Sequence, residues 1–83
     1  MNKLQTLQSA LEPRNSEILD YQINIDNYTR AIDKINAEYA DNSALIEFRD
    51  RLADMVRSHQ TEQLKAIIIR DVIADQITEL ESL

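Results

Sequence analysis

Hydrophobic residues in the first half of the chain fall at Leu4, Leu7, Leu11, Ile18, Tyr21, Ile25, Tyr28, Ile32, Ile35 and Tyr39, with Arg14 filling the one gap. The steps alternate between three and four. That is the a/d stripe of a coiled-coil-like helix, held over about five heptads. The second half repeats the pattern at Leu45, Phe48, Leu52, Met55, His59, Glu62, Ala66, Ile69, Ile73, Gln76 and Leu80. No stretch of similar length shows the two-residue period of a strand. Isoleucine and valine favour strands, so AIIIRDVI invites a β reading. It has no second strand to pair with and no glycine turn to reach one.

Between the two stripes, Ala40-Asp41-Asn42-Ser43 is the only turn-forming stretch in the middle of the chain. The pattern predicts helices over about residues 3–40 and 44–81, joined by a turn at about 41–43. Either Asn42 or Ser43 caps the second helix through its side-chain oxygen, or Asn42 ends the first helix in the left-handed conformation. Folded back antiparallel, the stripes pair Leu4 with Leu80, Leu11 with Ile73, Ile18 with Ala66, Ile25 with His59, Ile32 with Leu52 and Tyr39 with Leu45, all at one constant register. Both stripes run out together, as a full-length helical hairpin requires. The predicted fold is therefore all-α: a long antiparallel, coiled-coil-like hairpin of a single domain.

Pro13 perturbs that picture. Inside a helix it removes a hydrogen bond and crowds the preceding turn, at a cost of about 3 kcal/mol. The first helix either kinks there or breaks, with residues 2–11 forming a separate short helix and Ser16 capping the long one. The stripe stays in phase across Pro13, which favours the kink.

Ile67, Ile68 and Ile69 are consecutive, and consecutive helical residues point about 100° apart. On the expected register Ile69 faces the first helix while Ile67 and Ile68 face away, together with Leu64, Val72 and Ile77. Leu19 and Ile23 are off the stripe on the first helix and level with Leu64 and Ile68, which predicts one outward apolar patch midway along the hairpin. Burying each such side chain is worth roughly 1.5–3 kcal/mol, too much to leave in water. Pairing of two hairpins into a dimeric four-helix bundle is the plainest cover. Fold-back of residues 1–11 and a heterologous partner are the others.

Composition narrows the possibilities. The chain has 83 residues, no cysteine, no glycine and one histidine. Disulfides and thiolate metal sites are out, little remains for a zinc centre, and every glycine-dependent phosphate loop is missing. No cofactor is implied. Fifteen acids against nine bases leave a net charge of −6, which disfavours direct binding to nucleic acid or to an anionic membrane. The opening residues MNKLQTLQSALEPR carry no signal-like apolar run, and no run approaches the roughly 18 apolar residues of a membrane span. A cytoplasmic protein is the expectation. Asn27-Tyr28-Thr29 matches a glycosylation acceptor by chance, since Tyr28 belongs to the stripe.

Candidate chemistry is sparse. His59 sits in the stripe opposite Ile25 with no nucleophile, orienting group or pocket in view, and it reads as a polar layer that sets register. No catalytic, cofactor or metal residue is assigned, and the protein is not expected to be an enzyme. Tyr21 faces Glu62, where a phenol–carboxylate hydrogen bond would satisfy both groups. Arg14 is placed to pair with Asp71 or Glu17. Asp71, Asp75 and Glu79 recur every four residues with no base after Arg70. They form either a solvated face or a negative comb that could engage a basic groove.

The functional expectation is a protein–protein interaction module, acting as an adaptor, assembly factor or inhibitor. Its interface residues would be Leu19, Ile23, Leu64, Ile67, Ile68 and Val72, with Asp71, Asp75 and Glu79 steering a basic partner. A phage-type acidic inhibitor, blocking a nuclease, restriction or CRISPR enzyme by charge mimicry, is the second reading. A purely structural oligomerisation hairpin is the third.

Overall fold

The computed structural model describes residues 2–83 as two antiparallel helices, α1 (Lys3–Glu38) and α2 (Ser43–Glu81), and no strand occurs among them. The hairpin is a narrow ribbon of 62 × 17 × 14 Å. Each end of the helices has a local cause. Asn2 opens α1 with a capping box: its side chain accepts from the Gln5 backbone N–H at 2.8 Å, and the Gln5 side chain accepts from the Asn2 N–H at 3.3 Å. Asn42 opens α2 by accepting from the Leu45 N–H at 3.1 Å. Such caps satisfy donors that have no partner inside the helix. Of the three expectations for the turn, Asn42 is therefore the cap. Its φ of −97° rules out the left-handed alternative, and no described residue has positive φ. The Asn42 N–H also returns to the Tyr39 carbonyl at 3.0 Å, closing the four-residue connection without glycine.

Pro13 lies inside α1, which runs unbroken from Lys3 to Glu38. The separate helix expected as one alternative for residues 2–11 does not form, so these residues do not fold back as a cover. They extend the ribbon instead, with Leu4, Leu7 and Leu11 half-buried in the stripe.

The seam follows expectation on α1 from Leu4 to Ile35, with Tyr39 exposed at the C-cap instead of closing the stripe, and departs from it on α2. Ile25 and Ile35 are buried on α1. On α2 the shared stripe at Leu45, Leu52, His59, Ala66, Ile73 and Leu80 faces α1, but its companions are Arg49, Val56, Gln63, Arg70 and Ile77. The expected companions lie one residue earlier, and Phe48, Met55 and Ile69 among them are exposed. Ile77 is 8% exposed and Ile69 48%, the reverse of the predicted assignment. The physical reason lies across the seam. Tyr21 and Tyr28 already fill that side, and Val56 and Ile77 are compact enough for the narrow gap. The long side chains of Arg49 and Gln63 lay their stems along the seam while their polar ends reach α1.

These cross-helix bonds fix the register. Gln63 Nε2 donates to the Ile18 carbonyl at 3.1 Å and to Gln22 Oε1 at 2.9 Å. Arg49 donates to Asn36 Oδ1 at 2.9 Å. On the other broad side of the ribbon His59 lies between two phenol rings, with centroids 5.7 Å from Tyr21 and 5.5 Å from Tyr28. The expected Tyr21–Glu62 hydrogen bond is absent. Glu62 accepts instead from Lys65 on its own helix at 2.8 Å, and Tyr21 packs edge-on to His59.

Candidate functional site: the outer ridge of α2

Ala66 is buried in the seam, so Ile68, two residues on, is rotated by about 200° and stands on the edge of α2 farthest from α1. Leu64 and Val72 lie one turn to either side of it. The three form a ridge along the helix, 59%, 60% and 50% exposed in chain order. Side chains at this spacing stack on one face. Nothing in a two-helix hairpin can cover that edge.

The three acids run beside this ridge. Asp71 is three residues from Ile68, and Asp75 is three from Val72, so each carboxylate neighbours an apolar side chain; Glu79 continues the row. All three are exposed. Arg70 holds Asp71 at 2.9 Å, while Asp75 and Glu79 have no ion pair among the described residues. The last turn of α2 contains no base. The helix dipole therefore adds to the negative field at this end.

The other predicted interface residues separate from this ridge. Leu19 and Ile23 are exposed, but Ile23 is two residues from buried Ile25, which turns it to the outer edge of α1. The single midway patch expected from the sequence is thus divided over the two opposite edges of the ribbon. Ile67 is half-buried beside the seam and not fully outward. Ile77, expected outward, is core.

A second apolar surface was not legible in the stripe. Tyr39, Phe48, Met55 and Ile69 are exposed on the broad side that carries the Tyr21–His59–Tyr28 cluster. Near the turn this surface dips into a groove of about 380 Å³ lined by Ala31, Lys34, Ile35, Tyr39, Leu45 and Phe48.

The remaining candidates are structural. Arg14 pairs with Glu17 at 2.9 Å, one of its two expected partners. No cluster of His, Cys, Asp or Glu with metal-binding geometry occurs among the described residues, and no helix there is long and apolar enough to cross a membrane. The Lys65 ammonium is held above the ordinary lysine pKa by its hydrogen bond to Glu62 and then by that carboxylate's charge. Comparison with known proteins yields no match: no family model fits the chain, and no curated protein or solved structure is significantly similar to it.

Proposed function

We propose that this hairpin is a non-enzymatic protein–protein interaction module that pairs into a dimeric four-helix bundle and docks onto another protein through the outer ridge of α2. The observation that carries the reading is the juxtaposition on one helix edge of exposed Leu64, Ile68 and Val72 with the acids Asp71, Asp75 and Glu79. Full burial of three such aliphatic side chains is worth about 5–9 kcal/mol before association costs. The acids would select a partner whose apolar groove is rimmed by lysine or arginine, and would speed its approach. Leu19 and Ile23 on the far edge, and Ile67 at the flank, are secondary contacts in this reading.

The test is capture from source-cell extract with three baits: wild type, Ile68→Asp, and the triple charge reversal Asp71→Lys/Asp75→Lys/Glu79→Lys. A protein retained by wild type and lost with Ile68→Asp supports the module. Identical retention by all three baits sinks it.

Acidic inhibition of a nucleic-acid-processing enzyme is the second reading, favoured by the net charge of −6 and the uncompensated Asp75–Glu79 end. It inverts the dependence. Charge reversal and raised salt would abolish binding while Ile68→Asp left most of it intact.

A further inference from the structure

The bonds that tie α1 to α2 stop short of the open end of the hairpin. Among the described residues, the cross-helix hydrogen bonds run from Arg49 to Asn36, from Gln63 to Gln22, and from Gln63 to the Ile18 carbonyl. The span from Ile18 and Ala66 to the turn also holds the Tyr21–His59–Tyr28 cluster. Four of the five buried residues, Ile25, Ile35, Leu52 and Ala66, lie in it as well. Beyond it, toward the two termini, only Ile77 is buried.

The next layer of the seam is a pair of arginines. Gln63 reaches Ile18 and Gln22, so one heptad further along α2 Arg70 comes level with residues 11–15, beside Arg14. Neither guanidinium crosses the seam. Arg14 turns to Glu17 and Arg70 to Asp71, each on its own helix and each at 2.9 Å. This layer therefore holds two like charges and no cross-helix bond, and only the arginine stems pack in it. Pro13 falls at the same level. Without an N–H it leaves the Ser9 carbonyl unpaired, so the backbone ladder of α1 is interrupted where the seam is.

Past this layer Leu4, Leu7 and Leu11, all half-buried, share the seam with Ile73, Ile77 and Leu80. No polar bond crosses between the helices here. A helix as short as Lys3–Glu12 is marginal in water by itself, so aliphatic contact with α2 is what holds it. α2 has no such interruption and continues as one helix to Glu81.

We infer that Lys3–Glu12 is a strap that swings off α2 about Pro13 as one unit, while the hairpin from Ile18 and Ala66 to the turn stays closed. Release bares Ile73, Ile77 and Leu80 on the same turns of α2 whose outer side carries Asp75 and Glu79. A partner drawn by those acids then gains a second apolar row; with the strap in place it has only the outer ridge. This consequence for docking rests on the reading proposed above, and the opening itself does not.

Native-state hydrogen exchange of the full chain, read amide by amide, tests the opening. Residues 7–12 are expected to share one level of protection, at least about tenfold below that of residues 25–35 and 52–66, with a step at Pro13. Arg14→Leu/Arg70→Leu makes the layer apolar and should slow exchange in residues 7–12 by about tenfold or more, and by more than in residues 25–35. Protection that declines evenly toward residue 3 is end fraying and overturns the strap. Protection equal to that of the turn side overturns it too. The same variant then serves as bait in the capture experiment. It is more negative than wild type by two charges, which by itself favours a basic partner, so weaker retention of that partner reports the closed strap. Equal or stronger retention overturns the docking consequence even where the opening stands. A wild type that retains nothing removes the docking reading and this consequence together, and the exchange step still decides the opening.

Discussion

Gln63 and Ile18 are joined by a side-chain amide that reaches across the hairpin to a helical backbone carbonyl, at 3.1 Å and 45 residues apart in sequence. The carbonyl already accepts within α1, so the amide uses its second lone pair. The same nitrogen gives its other proton to Gln22. Gln63→Ala removes both bonds and is expected to lower the unfolding free energy by about 1–2 kcal/mol in urea titration, whereas Gln22→Ala, which leaves the Ile18 bond intact, costs under about 1 kcal/mol. Equal losses would show that the carbonyl contact contributes nothing.

The one-residue shift on α2 has an equally direct check. Ile77→Ala empties a seam position and should cost about 2–4 kcal/mol. Ile69→Ala should cost under about 1 kcal/mol. The expectation drawn from the stripe alone is the reverse order.

That shift marks where reading the sequence stops. From Leu45 to Leu52 the chain can step three then four, through Phe48, or four then three, through Arg49. Both are legal heptad steps. Hydrophobicity prefers Phe48, and the choice recurs at Met55 against Val56, and at Ile69 against Arg70. What decides is volume and reach across the seam. The two tyrosines of α1 occupy the space, and arginine and glutamine can bury a stem while bonding beyond it. Neither is visible in a binary pattern. The shared stripe, the antiparallel fold-back and the Asn42 cap were legible because each rests on spacing or on one side chain's own chemistry. Leu64, Ile68 and Val72 were legible for the same reason, since they lie outward on either register. The division of the patch over two edges, and the Phe48–Met55–Ile69 surface, depend on the register and were not.

Pro13 leaves the Ser9 carbonyl without its intrahelical donor, because proline has no N–H, yet α1 continues through it. Pro13→Ala restores that bond in an exposed, already helical segment. It should raise stability by about 1–3 kcal/mol and increase the helical CD signal. An unchanged melting temperature would mean that the chain before Pro13 frays independently of the rest.

Lys65 supplies a pH signature. Its pKa is raised by Glu62, so its stabilising contribution is complete below the ordinary lysine value and is lost as pH rises through the raised one. The window is alkaline, and stability near neutrality should not respond to this group. In an NMR titration the Lys65 ε-signals should move above the ordinary lysine range, and Glu62→Gln should bring them back toward it. A Lys65 midpoint unaffected by Glu62→Gln would assign the shift elsewhere.

The acidic end of α2 sets stability against recognition. Carboxylates in a last turn oppose the helix dipole, and α2 has no base there to offset them. Glu79→Lys reverses that term and places a cation within reach of Asp75 at i−4, so it should stabilise the hairpin by about 0.5–1 kcal/mol at low salt, shrinking as salt is added. If the ridge docks a basic-rimmed groove, the same substitution should slow association with the captured partner while dissociation changes little, because charges at a rim act mainly on encounter. A variant that is both more stable and slower to bind would mean that the acids are kept for the partner at the helix's expense. If Glu79→Lys gained stability with binding unchanged, Asp71, Asp75 and Glu79 would be a solvated face, and recognition would rest on Leu64, Ile68 and Val72 alone.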